Sequence, residues 1–198
     1  MPLWGASDSD ESKPKNLTTA EKKEVYATGG GWVREAGSIW SGNDNTDADP
    51  EVLVAISNLS TSLGAADITG VEWITSTADK SDGFTLSVRV RYNEPVTVNT
   101  SGGTPTLAVT NGNEGSGSGR GPHSLSYSAG TGTNELTFSL AIAAGNAATN
   151  ANDVLTVAAQ SISLNSGTMT DATGTASNAS VVISSDAVSS TGSVTVTA

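Results

Sequence analysis

The sequence predicts an all-β protein, a β-sandwich of about seven or eight strands behind an extended N-terminal arm. Three observations predict it. Residues 84–92 alternate without a break, setting Phe84, Leu86, Val88, Val90 and Tyr92 against Thr85, Ser87, Arg89 and Arg91. A period of two gives a strand with one dry and one wet face. Turn signals then recur between apolar runs, at Asp82-Gly83, Asn111-Gly112 and Gly130-Thr131-Gly132, where positive backbone dihedrals are cheap. Hydrophobic residues are only 36% and aromatics 5% of the 198, a composition that suits short strands around a thin core of Val, Ile, Leu and Ala and argues against a helix bundle.

Residues 1–50 read as the arm. Asp8, Asp10 and Glu11 give way to Lys13, Pro14 and Lys15, a stretch too polar to bury itself. Thr18 and Glu21 match a capping box, which predicts a short helix over residues 19–27 that Gly29, Gly30 and Gly31 end. Residues 51–67 form a connector, whose run 51–56 is either a strand or one turn of helix. The sandwich spans 68–185, with strands expected at 68–75, 84–92, 96–99, 106–110, 125–128, 136–142, 154–158 and 179–184. Residues 186–198 are a tail, in which 193–197 either adds a last strand or pairs with a neighbouring chain.

The formal net charge is −11. Residues 1–50 hold nine acids and five bases, and residues 51–198 eleven acids and four bases. A chain so poor in Lys and Arg repels a polyanion, so direct nucleic-acid binding is not expected. Cysteine is absent, which removes disulfides, zinc–thiolate sites and thiol nucleophiles. No apolar run is long enough to span a bilayer. The first residues, Met-Pro-Leu-Trp-Gly-Ala-Ser-Asp, lack the basic start and apolar stretch of a signal peptide, so synthesis in the cytoplasm is expected.

Residues 88–98 (Val-Arg-Val-Arg-Tyr-Asn-Glu-Pro-Val-Thr-Val), 102–107 (Gly-Gly-Thr-Pro-Thr-Leu) and 107–112 (Leu-Ala-Val-Thr-Asn-Gly) resemble the bacterial immunoglobulin-like modules of the SwmB and adhesin-repeat type. Residues 127–138 and 164–174 look like their later strands. The resemblance runs from about Val71 to Ile183 and implies an immunoglobulin-like β-sandwich; such modules adhere, space or decorate. A second resemblance lies in the arm. Trp4-Gly5, residues 13–18 (Lys-Pro-Lys-Asn-Leu-Thr) and residues 26–33 (Tyr-Ala-Thr-Gly-Gly-Gly-Trp-Val) are similar to the opening of virion structural proteins of tailed phages of marine bacteria, including cyanophages. It implies a capsid decoration (cement) protein, made in the host cytoplasm and placed in many copies on the virion surface. Its partners would be the major capsid protein and neighbouring virion subunits. The alternatives are a neck, tail or fibre component, or a cell-surface adhesion or glycan-binding module.

Three of the four tryptophans, Trp4, Trp32 and Trp40, lie in the arm. They either tuck back onto the sandwich or anchor the arm in another chain, since Trp is enriched at binding hot spots. No catalytic constellation is expected. His123 is the sole histidine and follows Pro122 in a Gly-rich stretch, a position that reads as an exposed loop rather than a general base. The Gly-rich run 112–121 lacks the Lys and helix of a phosphate loop. A structural calcium is the one cofactor left open: Asp79, Asp82 and Asp171 fall in turns, and Asn43, Asn45, Asp47 and Asp49 alternate like a calcium loop without its Gly and closing Glu. Lys80, with an Asn or a carboxylate, could form an intramolecular isopeptide crosslink, although no motif marks one.

Overall fold

The structure, a computed structural model, describes residues 13–14, 16–112, 122–146, 149–172 and 178–198. The capping box forms: Thr18 Oγ1 accepts from the Glu21 amide at 3.3 Å, and Glu21 Oε2 accepts from the Thr18 amide at 2.8 Å. The helix it starts, α1 (Thr19–Lys23), ends before residue 27 because the next residues pair as strands. β1 (Val25–Thr28) pairs with β2 (Gly31–Arg34), and β2 with β3 (Glu51–Ala55), all antiparallel.

The described part of the arm is therefore not extended but folded into a three-stranded sheet, a correction with a clear physical reason. Val25, Ala27, Trp32 and Leu59 close a small core, with Leu17, Leu53, Val54, Ile56 and Leu63 against it. Burial of these side chains stabilises the small sheet, whereas α1 itself buries no residue and rests on its capping box. Leu59 comes from α2 (Leu59–Ser62), so residues 51–67 are a strand and a helical turn rather than a plain connector. Gly29, Gly30 and Gly31, read as a helix stop, make the β1–β2 hairpin. Gly31 has φ +135°, and a Cβ there would overlap the Val54 carbonyl oxygen, so only glycine lets β3 close.

The remaining strands are β4 (Ile68–Trp73), β5 (Ala78–Asp79), β6 (Phe84–Asn99), β7 (Thr106–Gly112), β8 (His123–Ala129), β9 (Thr133–Ile142), β10 (Val154–Thr156), β11 (Gln160–Ser161), β12 (Thr168–Asp171), β13 (Val182–Ile183) and β14 (Ser193–Thr197). The main sheet runs β12–β6–β9–β8–β7–β10–β14–β5, with β4 also on β6, and every pairing is antiparallel except β14–β5. β11 and β13 form a separate short ladder. Met169 on β12 and Ala78 on β5 stand at opposite ends of the strand order yet share one core with Leu86, Val90, Leu125 and Phe138. A flat sheet could not bring them together, so this one curls around its apolar face. The protein is mostly β, as expected.

Leu86, Val88, Val90 and Tyr92 are fully buried, as the alternation requires. Residues 84–92 and 96–99, expected as two strands, are one. Pro95, which has no N–H to donate, falls where the β6–β9 register breaks between Arg91 and Val96, so no ladder bond is lost. The expected strand at 179–184 shrinks to β13. In the tail, Ser184 Oγ caps α3 (Ser185–Val188) by accepting from the Ala187 amide at 3.1 Å, and β14 joins the chain's own sheet. The second face of β6 is not wholly wet: Ser87 and Arg91 are buried, and β1 packs against this strand.

Candidate functional site

Two arginines position the N-terminal sheet. Arg34, at the end of β2, donates from Nη1 to the Trp40 carbonyl at 3.0 Å and to Glu51 Oε2 at 3.1 Å, while Nη2 reaches Glu21 Oε1 at 3.5 Å. One buried guanidinium thus ties α1, β3 and the 36–50 loop together. The Trp40 amide also donates to Ser38 Oγ at 3.2 Å, and Ser38 Oγ donates to Glu24 Oε2. The backbone of this loop is held while Ile39 is 80% and Trp40 44% exposed, and Val52 on the adjoining β3 is 63% exposed. The other exposed large apolar residues among those described, Ile74 and Val182, lie elsewhere.

Arg91 on β6 is the second clamp. It pairs with Glu35 just beyond β2, with Glu72 Oε2 on β4 at 3.1 Å and with Glu135 Oε1 on β9 at 3.4 Å, and Arg89 meets Glu135 Oε2 at 3.4 Å. Burial pushes the Glu35 carboxyl up to about 7 against the pull of Arg91. Burial, with Glu35 and Glu135 nearby, raises the Tyr26 hydroxyl as well. The small sheet is therefore fastened to the large one through an ionic cluster on what the sequence presents as a solvent face. A groove of about 600 Å³ runs where α1 meets β4 and α3, with Lys22, Lys23, Asp67 and Asp186 in its walls and no member of the cluster among them.

The cluster predicts a pH dependence. Glu35 titrates at about 7 when folded against an ordinary value of 4.5, so between these values the folded state holds the extra proton. Its contribution to stability is complete below 4.5 and declines as pH rises through 7. Glu35→Gln, neutral throughout, is expected to flatten that fall in urea melts taken across this range. An unchanged slope would refute the assignment. His123, lowered by burial, acts in the opposite sense, its contribution fading as pH drops below 6.5. Comparison with the parent protein therefore isolates Glu35.

The tryptophans separate. Trp32 is fully buried in the small core, so it tucks into its own chain and offers no side chain to a partner. Trp40 is presented to solvent, and Trp4 lies outside the described residues. His123 is corrected: it is buried at the start of β8, with Nε2 3.1 Å from Thr149 Oγ1 and near Asp153. The strand begins one residue after Pro122 and draws the ring inward, where composition suggested a loop. Asn43 Oδ1 accepts from the Asn45 amide at 3.1 Å and Asn45 Oδ1 from the Asp47 amide at 3.0 Å. The alternation read against a calcium loop is thus a pair of side-chain turns. Asp79 Oδ1 is taken up by the Ser81 amide at 2.8 Å and hydroxyl at 2.7 Å, which hold its carboxyl below the usual range. Among the described residues no group of three His, Asp or Glu is placed to hold a metal.

Arg34 and Arg91 were not singled out by sequence. Their signal was present, since Arg91 carries charge on a strand whose neighbours are apolar, but its partners lie far away in the chain. The chain matches no protein-family model, no curated protein and no solved structure.

Proposed function

We propose that this protein is a non-enzymatic structural protein of a tailed-phage virion, a decoration (cement) protein that seats on the assembled shell through its N-terminal sheet. In this reading the curled sheet is an immunoglobulin-like module carried on the outside of the particle, and the major capsid protein receives Trp40 and its neighbours. The observation that carries the reading is the concentration of Ile39, Trp40 and Val52 on the one small unit, exposed although Arg34 fixes the backbone beneath them. Large apolar side chains on a rigid frame lose little entropy on docking, and an aromatic anchor can dominate an interface. Repetition over a symmetric shell multiplies a modest contact through effective concentration. The predominantly antiparallel pairing and the single apolar interior support the module reading.

Shell binding tests it. Trp40→Ala is expected to weaken binding to purified undecorated shells by at least about tenfold, as for a hot-spot residue. Removing residues 1–50 is the poorer test, because it also takes Glu35 from Arg91 and strips β3 of its partner. Undiminished binding by Trp40→Ala would exclude this face. Saturable binding to host cells or glycans, with none to shells, would favour an adhesion module instead.

A further inference from the structure

Lys80 Nζ donates to Asn150 Oδ1 at 2.9 Å, across 70 residues of sequence. One strand, β14, holds Lys80 directly and the turn that carries Asn150 through Asn152 and Asp153. The Lys80 amide donates to the Thr197 carbonyl at 3.1 Å, beside the β14–β5 pairing, and the Gly145 amide donates to the Lys80 carbonyl at 3.0 Å. On the other side, the Asn152 amide donates to the Val196 carbonyl at 2.8 Å, and the Val196 amide to the Asp153 carbonyl at 2.9 Å. Asp153, fully buried, accepts from the Asn150 amide through Oδ2 at 2.7 Å. The amine is thus mounted on backbone that β14 pins and the carboxamide on a turn that Asp153 ties to β14, with the nitrogen against the oxygen bonded to Cγ. Such mutual fixation is what makes an intramolecular acyl transfer effective.

We propose that Lys80 and Asn150 are the site of an intramolecular isopeptide bond. The Lys80 amine adds to Cγ of Asn150, forming the new C–N bond. The tetrahedral carbon then expels the original amide nitrogen, which leaves as ammonia with a proton from the lysine nitrogen. A lysine that begins as ammonium gives ammonium as product, so charge balances, and nothing is oxidised or reduced. Asp153 is the positioning residue, holding the Asn150 backbone. The crosslink would close a loop from residue 80 to residue 150 in a chain without cysteine. It would tie the β5 end of the sheet to the segment between β9 and β10.

Intact-mass measurement of the full chain tests this. The purified protein is expected to be lighter than its sequence by one ammonia, and trypsin to leave the Lys80 and Asn150 peptides joined. Lys80→Arg restores the sequence mass and lowers the melting temperature by roughly 10 °C, the scale for releasing so long a loop. Asn150→Asp gives the same bond with loss of water in place of ammonia. That shift separates the crosslink from a cyclic imide at Asn111-Gly112, which would lose ammonia in both variants. A parent protein at full sequence mass, cut normally after Lys80, overturns the proposal and leaves a hydrogen bond only.

Discussion

Replacing Arg91 with Met is expected to destabilise the protein by about 3–5 kcal/mol, the cost of removing one member of a buried ionic cluster. The side chain is 5% exposed and meets three carboxylates, Glu35 just beyond β2, Glu72 on β4 and Glu135 on β9. Without the guanidinium those acids face one another across a partly dry seam. Part of the cost falls as Glu35 takes up a proton, which its raised titration already favours. Arg91→Lys should recover little, because a single ammonium cannot reach three carboxylates with the spread of a planar fork. Glu72→Gln is the contrast: its side chain is 42% exposed, and the change should stay within about 1 kcal/mol. Urea melts give the totals, and hydrogen exchange shows where the loss appears. Amides of β1–β3 should lose protection in Arg91→Met before those of β6 and β9. A loss under about 1 kcal/mol would mean that the two sheets hold together by apolar contact alone.

What could be read from the residues was whatever local pattern determines. The dry face of residues 84–92 and the Thr18–Glu21 capping box are short-range features, and both appear in the structure. The small sheet was illegible for the opposite reason. Its apolar residues are scattered through Val25, Ala27, Trp32 and Leu53, and β3 returns to β2 only after the 35–50 loop. Three glycines in a row read equally well as a helix stop or a hairpin, and only the approach of Val54 to Gly31 decides between them. The two strands expected at 84–92 and 96–99 run on as one, with Pro95 falling at a register shift that only the pairing with β9 reveals. His123 was hidden by its flanks, since its partner Thr149 lies 26 residues on. At the candidate site the sequence identified tryptophans as a class. Tertiary packing alone sorts Trp32, inside, from Trp40, outside.

Trp32→Ala should cost about 3–5 kcal/mol, the range for deleting a large aromatic from a core, and the loss should be local before it is global. Trp32 is the largest of the four buried residues in its core. Its absence leaves Val25 and Ala27 on β1, and Leu59 on α2, facing a void. The main core of Leu86, Val90, Phe138 and their neighbours is a separate cluster and keeps its contacts. Subglobal opening is the natural response when one cluster fails and another does not. Hydrogen exchange should therefore show β1–β3 opening while β6, β8 and β9 stay protected, and Trp32→Phe should retain more protection than Trp32→Ala. Uniform loss across both sheets would show that the Arg91 cluster welds them into one cooperative unit. Trp40→Ala supplies the other half of the comparison. Trp40 is 44% exposed and belongs to neither apolar cluster, so stability should move by no more than about 1 kcal/mol, while shell binding falls. If Trp32→Ala also weakens shell binding, it does so by loosening the frame under Trp40. A binding defect in Trp40→Ala without a stability defect therefore isolates the docking contact itself.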